Sequence, residues 1–206
     1  MFIKKKDNEG TLLKNSKYLT TIINAQRILS CYYYNFLELL AVKNIFFQKL
    51  LIKGREPVFI NETKMAKVTK NDKVLLIGCG IFPSEAMTIA KQTGAKVIGI
   101  DNSKNITKIA NKYITKIGLS NLIKIEYGEG AEYPVKDFDV IFIAINVWPI
   151  NSILNHLEKN MKSDARIMCK SSRNDIIKII DNERFTILSK LKNPQTQSFL
   201  LMKKNK

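Results

Sequence analysis

One histidine, five arginines and three cysteines are all the chain holds of the residues that most often build metal centres, phosphate clamps and disulfide frameworks. Cys31, Cys79 and Cys169 are odd in number, far apart and without a Cys-x-x-Cys pair. That excludes a disulfide scaffold and a zinc site of ordinary spacing, and no metal is expected. There is no internal repeat and no low-complexity block. No apolar run is long enough to span a bilayer, because Asn35, Glu38, Lys43, Asn44 and Gln48–Lys49 interrupt the densest stretch. The opening "MFIKKKDNEG" has no apolar stretch behind its lysines, so no secretory signal and a cytoplasmic location are expected. Acidic residues are also scarce, 18 against 34 basic ones, for a net charge of +16. A surplus of that size raises the question of nucleic acid. Yet 29 of the 34 are lysine, whereas arginine is the better residue for bidentate phosphate and base contacts. The only tight runs lie at 4–6 and 203–206. The balance argues for a solvated lysine surface and against a nucleic-acid partner.

What is present suffices for one sizeable core with a helical appendage: 206 residues, of which 45% are hydrophobic. Residues 1–16 are polar. Residues 18–53 carry apolar positions at helical spacing, from Leu19, Ile22 and Ile23 through Ile28, Leu29, Tyr32, Tyr33, Phe36, Leu37 and Leu40 to Leu50 and Leu51. They read as two or more helices, stopped by "KGREP" at 53–57, with a short helix following at 61–67. From Lys73 the pattern becomes strand–helix alternation. Strands are expected at 73–78, 96–101, 122–128, 138–145 and 165–170, with helices at 84–93, 103–117, 150–160 and 173–180. The last two strands, 184–191 and 197–204, are joined by a turn at Asn193–Pro194 too short for a crossover helix, so they must be antiparallel. The expectation is an α/β fold, a doubly wound, mostly parallel seven-stranded sheet, with a helical segment over 1–70 and the α/β domain over 71–206.

The first strand leads into "KVLLIGCGIFPSEAMTIA" (73–90). A dinucleotide fingerprint has three glycines, the third for close helix–strand packing. Here Gly78 and Gly80 keep the turn and Pro83 replaces the third, in the first turn of a helix where a missing N–H costs nothing. Close backbone approach survives but the dinucleotide pattern does not. Cys79 sits inside the turn, where a small residue fits and a nucleophile is the sharper alternative. Asp101 ends strand two; a carboxylate there can accept both hydroxyls of a ribose or cap the helix of "DNSKN".

A glycine turn, an acidic end to strand two and a terminal hairpin together resemble the class I S-adenosylmethionine (SAM) dependent methyltransferases. "LLIGCGIFP" is similar to their first motif, "VIGID" to their acidic loop and "IEYGEGAEYP" to the segment that meets the adenine, where Glu129 is the matching position. The resemblance covers about residues 73–204. It implies SAM as cofactor, bound along Gly78, Cys79, Gly80, Pro83, Asp101, Asn102, Glu129 and Ala144. A narrower resemblance is to nicotianamine synthases, which move the aminocarboxypropyl arm of SAM onto an amine. Their Tyr-Tyr-x-Asn-Tyr signature is matched by Tyr32, Tyr33, Asn35 and Phe36 of "YYYNFLELLAVK". Where that family's active-site glutamate is expected, this chain has Lys43, so architecture carries over better than reaction.

The sulfonium of SAM offers its methyl, aminocarboxypropyl and ribosyl carbons to attack, and the protein supplies placement, worth ~7–11 kcal/mol, and a deprotonated nucleophile. His156, mid-helix in "NSILNHLEKN", reads as a packing residue. Tyr33 and Glu38 are the catalytic candidates; Tyr34, Asn146 and Trp148 are the acceptor-site candidates, the last two in "NVWP" at the end of strand four. The expected activity is transfer of a methyl or aminocarboxypropyl group from SAM to a small amine-bearing molecule. The alternatives are an RNA methyltransferase or a SAM-binding protein without catalysis. Residues 18–53 are expected to cover the ends of strands one and four, with apolar surplus available for a homodimer contact.

Overall fold

The computed structural model describes residues 25, 28–145, 147–171, 180, 184–192 and 196–204. Leu19, Ile22, Ile23, Asn146, most of the expected helix at 173–180 and the Asn193–Pro194 turn lie outside the described residues. The chain divides into two compact units, 1–37 and 38–206. In the first, residues from 28 onward are helical and leave Ile28, Leu29, Tyr32, Tyr33 and Phe36 exposed, with the Tyr33 and Tyr34 rings edge-on at 5.8 Å.

The second unit is a seven-stranded sheet of order β3-β2-β1-β4-β5-β7-β6. β1 (Lys73–Ile77), β2 (Lys96–Asp101), β3 (Ile123–Tyr127), β4 (Val140–Ile143) and β5 (Arg166–Ser171) are parallel; β7 (Gln197–Lys203) runs antiparallel between β5 and β6 (Phe185–Lys192). The expected doubly wound sheet with its terminal hairpin is what forms. Strand order reverses between β1 and β4, and the crevice beyond their carboxyl ends is where such sheets bind ligands.

Alternate residues of each strand feed two cores. Val74, Leu76, Val97, Ile125, Val140, Phe142 and Met168 face one side, where α3 (Ser84–Thr93) contributes Met87 and Ala90 and α4 (Lys104–Lys116) contributes Ala110 and Ile114. Leu75, Ile77, Ile141, Ile143 and Ile167 face the other, against Ile153, Leu154 and Leu157 of α5 (Ile150–Asn160). Continuous burial on both faces is why β1 and β4 read as unbroken apolar runs.

One helical expectation is overturned. α1 (28–43) ends at Asn44, and α2 (Ile45–Met65) then runs unbroken through Gly54 and Pro57. The break falls at Asn44, whose side chain caps α2 by accepting the Phe46 N–H at 2.8 Å. Pro57 removes one helical donor, but it and Lys53, which loses that partner, are both exposed, so the freed carbonyl lies on the solvent side of the helix. α2 packs on α3, with Phe47, Leu51, Ile52 and Met65 against the core. Arg166 fixes its far end, donating to the carbonyls of Ala66 and Lys67 and pairing with Asp72.

Candidate functional site

The turn between β1 and α3 holds positive φ at Gly78 (+84°) and Gly80 (+69°), the left-handed region that favours glycine. A Cβ at Gly78 would collide with Val147 from the loop after β4, and one at Gly80 would lie 2.5 Å from Glu38 Oε2. Both glycines are therefore required by conformation and by close approach.

The turn's backbone donors are all engaged within the protein. Gly78 and Cys79 donate to the Ile100 carbonyl at 2.8 and 3.0 Å, strapping the turn to β2. Gly80 donates to Asp101 Oδ2 at 3.2 Å. Ile81 and Phe82 donate to Glu38 Oε2 at 2.9 and 3.3 Å. Pro83 has no N–H, and Ser84 donates to the Phe82 carbonyl at 2.7 Å. A turn that cradled a ligand's pyrophosphate would aim these groups outward. This one spends three of them on two carboxylates and the other three on the Ile100 and Phe82 carbonyls.

Asp101 stands half-buried at the end of β2 and also accepts the Ser103 N–H at 3.1 Å, while Ser103 itself caps α4. Burial pushes its carboxyl above the usual aspartate range; the Gly80 and Ser103 N–H groups draw it back, and the charges of Glu38 and Glu129 push it up further. Glu38 is buried and pairs through Oε1 with Arg55 Nη1 at 2.7 Å. Among the described residues, the charged side chains that contact the turn's N–H groups are the carboxylates of Asp101 and Glu38, the latter carrying one guanidinium. Cys79 lies beneath, its thiol held protonated by burial and by Asp101 and Glu38, which leaves it a small packing residue and no nucleophile.

The other candidates are placed as follows. Asn102 and Glu129 are exposed beside Asp101; the Glu129 carbonyl accepts the Glu132 and Tyr133 N–H groups, and Gly128 N–H ties the β3 end to the Asp101 carbonyl at 3.1 Å. Ala144 donates to the Ile77 carbonyl at 3.0 Å, closing the β4 loop onto β1, and Trp148 is 48% exposed just beyond it. His156 is a packing residue, its Nε2 at 2.7 Å from the Tyr133 carbonyl. Glu38, considered as a proton acceptor, has its oxygens engaged by two N–H groups and Arg55. Tyr33 and Tyr34 belong to the N-terminal unit. Lys43 is exposed at the end of α1. Arg55 is absent from the residues expected at the site; its only sequence signal is a rare arginine inside an apolar helix.

No family model matches the chain. Methyltransferase GfsG of Streptomyces halstedii is 27% identical over 117 residues, 55% of this chain and 40% of its own length. The chain thus spans less than half of that relative. A point variant of MtNAS superposes with a TM-score of 0.75 at 14% identity, covering 92% of this chain and 77% of that one. An RNA methyltransferase from Salinibacter ruber, in complex with S-adenosyl-L-homocysteine, gives 0.61 at 16% identity over 72% of this chain and 92% of its own. The chain has the class I SAM-dependent methyltransferase fold. Within that fold the superposition on MtNAS extends over nearly the whole chain, a likeness of fold.

Proposed function

We propose that this methyltransferase-fold protein is a SAM-dependent transferase acting on a small amine-bearing acceptor. The observation that carries the reading is the turn whose every donor is taken by the protein and whose ionised groups are mostly carboxylates. Such a surface offers nothing to a pyrophosphate and favours a cationic ligand. SAM, with its sulfonium and ammonium, fits that donor set; NAD and ATP do not. Asp101 would hold the ribose hydroxyls, the Gly78–Gly80 backbone would lie along the methionyl arm, and Asn102 and Glu129 would border the adenine. SAM supplies an activated carbon for transfer. The residues of the chain bind and orient it, and Ala144, Val147 and Trp148 give the acceptor its wall beside Gly78.

Calorimetry tests the binding step. The wild type should bind SAM and not NAD, and Asp101→Ala should weaken SAM by about 1–3 kcal/mol, the cost of orphaned hydrogen bonds. Binding of NAD in preference to SAM would end the reading. Mass spectrometry after incubation with SAM and cell metabolites identifies the reaction: S-adenosylhomocysteine means methyl transfer, methylthioadenosine means aminocarboxypropyl transfer, and neither means a SAM-binding protein without catalysis.

A further inference from the structure

The start of a helix attracts anions, because its first N–H groups are unpaired and its dipole is positive there. α3 starts directly after the glycine turn, and three donors converge just before it: the Ile81 N–H, the Phe82 N–H and the Arg55 guanidinium. That is the equipment of a phosphate or carboxylate site. What fills it is Glu38, which reaches the turn from 43 residues upstream of Ile81 and is buried there. Its Oε2 serves both N–H groups and its Oε1 serves Arg55. Gly80 leaves the space the carboxylate occupies, since a side chain there would meet Glu38 at 2.5 Å.

We propose that Glu38 is the specificity-determining residue of this turn, a built-in anion that occupies the phosphate position and so closes the site to phosphate-bearing nucleotides while keeping the turn in the shape that takes a cationic one. The inference rests on the SAM reading above. Its test is separate, because it predicts a gain of binding that SAM does not report. Removing the carboxylate vacates two adjacent oxygen positions, one faced by the Ile81 and Phe82 N–H groups and the other by Arg55 Nη1.

The experiment uses the full chain and three variants: Glu38→Gly, Glu38→Gln and Glu38→Gly combined with Arg55→Met. Inorganic pyrophosphate and SAM are titrated by calorimetry, and thermal unfolding is followed with and without sodium formate. Glu38→Gly should bind pyrophosphate at least tenfold more tightly than the wild type and lose at least tenfold in SAM affinity. Formate, a carboxylate small enough to enter the vacancy, should restore much of that affinity and raise the melting temperature of Glu38→Gly but not of the wild type. The double variant should lose the pyrophosphate gain. Should Glu38→Gly fold poorly without formate, Glu38→Gln keeps the side chain's volume and should still shift the pyrophosphate-to-SAM ratio tenfold. Variants that bind SAM within threefold of the wild type, with no pyrophosphate gain and no response to formate, overturn the proposal. A wild type that binds no SAM, alongside a Glu38→Gly that gains pyrophosphate, would sink the cofactor reading and leave Glu38's role standing.

Discussion

Asp101 does two things that pH separates. It closes the turn by accepting the Gly80 and Ser103 N–H groups, and, under the SAM reading, its ionised form accepts the ribose hydroxyls. Burial raises its carboxyl above the usual aspartate range. A folded-state pKa above the unfolded one means that the folded protein takes up the proton more readily. Its contribution to the stability of the ligand-free protein is therefore fully present below the ordinary aspartate pKa and is lost as pH rises through the raised value. SAM affinity should move the opposite way, falling as pH drops through that raised value and the carboxylate protonates. Calorimetry at stepped pH on wild type and Asp101→Asn checks this: the wild type should lose affinity toward acid and the variant should be weak and flat. A wild-type affinity indifferent to pH across that range would remove Asp101 from the ribose. The same burial governs Cys79, which is 6% exposed. Alkylation at neutral pH followed by mass spectrometry should find Cys79 and the fully buried Cys169 unmodified in the native protein.

At the scale of elements, α2 is a strut whose inner face carries Arg55, Phe59 and Glu62 at helical spacing. Arg55 meets Glu38. Phe59 and Glu62 meet Lys170 of β5, whose ammonium lies 4.9 Å over the Phe59 ring, 3.1 Å from Glu62 and in contact with Glu85 of α3. Ser198 of β7 donates to Glu62 at 2.5 Å. Four elements are thus joined through one lysine and two carboxylates, all buried. Lys170→Met should cost about 3–5 kcal/mol in denaturant unfolding, because it strands two buried carboxylates. Adding Glu62→Gln and Glu85→Gln should recover much of that loss; a triple variant as unstable as the single one would show that packing of the lysine stem, and not charge, is what matters. These residues also mark the limit of what the sequence discloses. The strands and α3 are legible because apolar runs are bounded by turn glycines, and Gly94, at φ +73°, ends α3 where its position in the sequence places the stop. Lys170, Glu62 and Glu85 look like surface charges. Nothing local shows that residues 85 and 108 positions apart meet inside the protein. Glu38 is legible as a polar group among aromatics, but its partner Arg55 sits between Gly54 and Pro57 in α2, where local propensity argues for a stop.

For the whole molecule the open question is what a charge of +16 does. The lysines are spread along the sequence, but folding gathers some of them. α4 presents Lys104, Lys108, Lys112 and Lys116, all exposed, on one face, and "KNITKIANKYITK" has no acidic residue to offset them. Lys124 on the edge strand β3 does not add to that face: it alternates with Ile123 and Ile125, which face α4, and its ammonium pairs with Glu126 at 2.8 Å. Successive lysines four apart rise about 6 Å along the helix and repel one another by roughly 0.2–0.5 kcal/mol a pair. A polyanion would relieve that repulsion, so this face is where RNA should bind if it binds at all. Such binding is counterion release: weak, indifferent to sequence and falling steeply with salt. Replacing Lys104, Lys108, Lys112 and Lys116 by Gln should flatten the salt slope for single-stranded RNA by about 3, near 0.7 for each phosphate left without its lysine. Under the proposed function, transfer to the small acceptor should not change, because Asp101, Glu38 and Trp148 are untouched. Lys108→Glu alone should raise stability by about 1 kcal/mol at low salt, since it turns two repulsive pairs into attractive ones. Filter binding across a salt series, with radiolabelled SAM added, decides the matter. A tight complex with one RNA at physiological salt that acquires label from SAM would replace the small acceptor by RNA and make this helix face part of the substrate site.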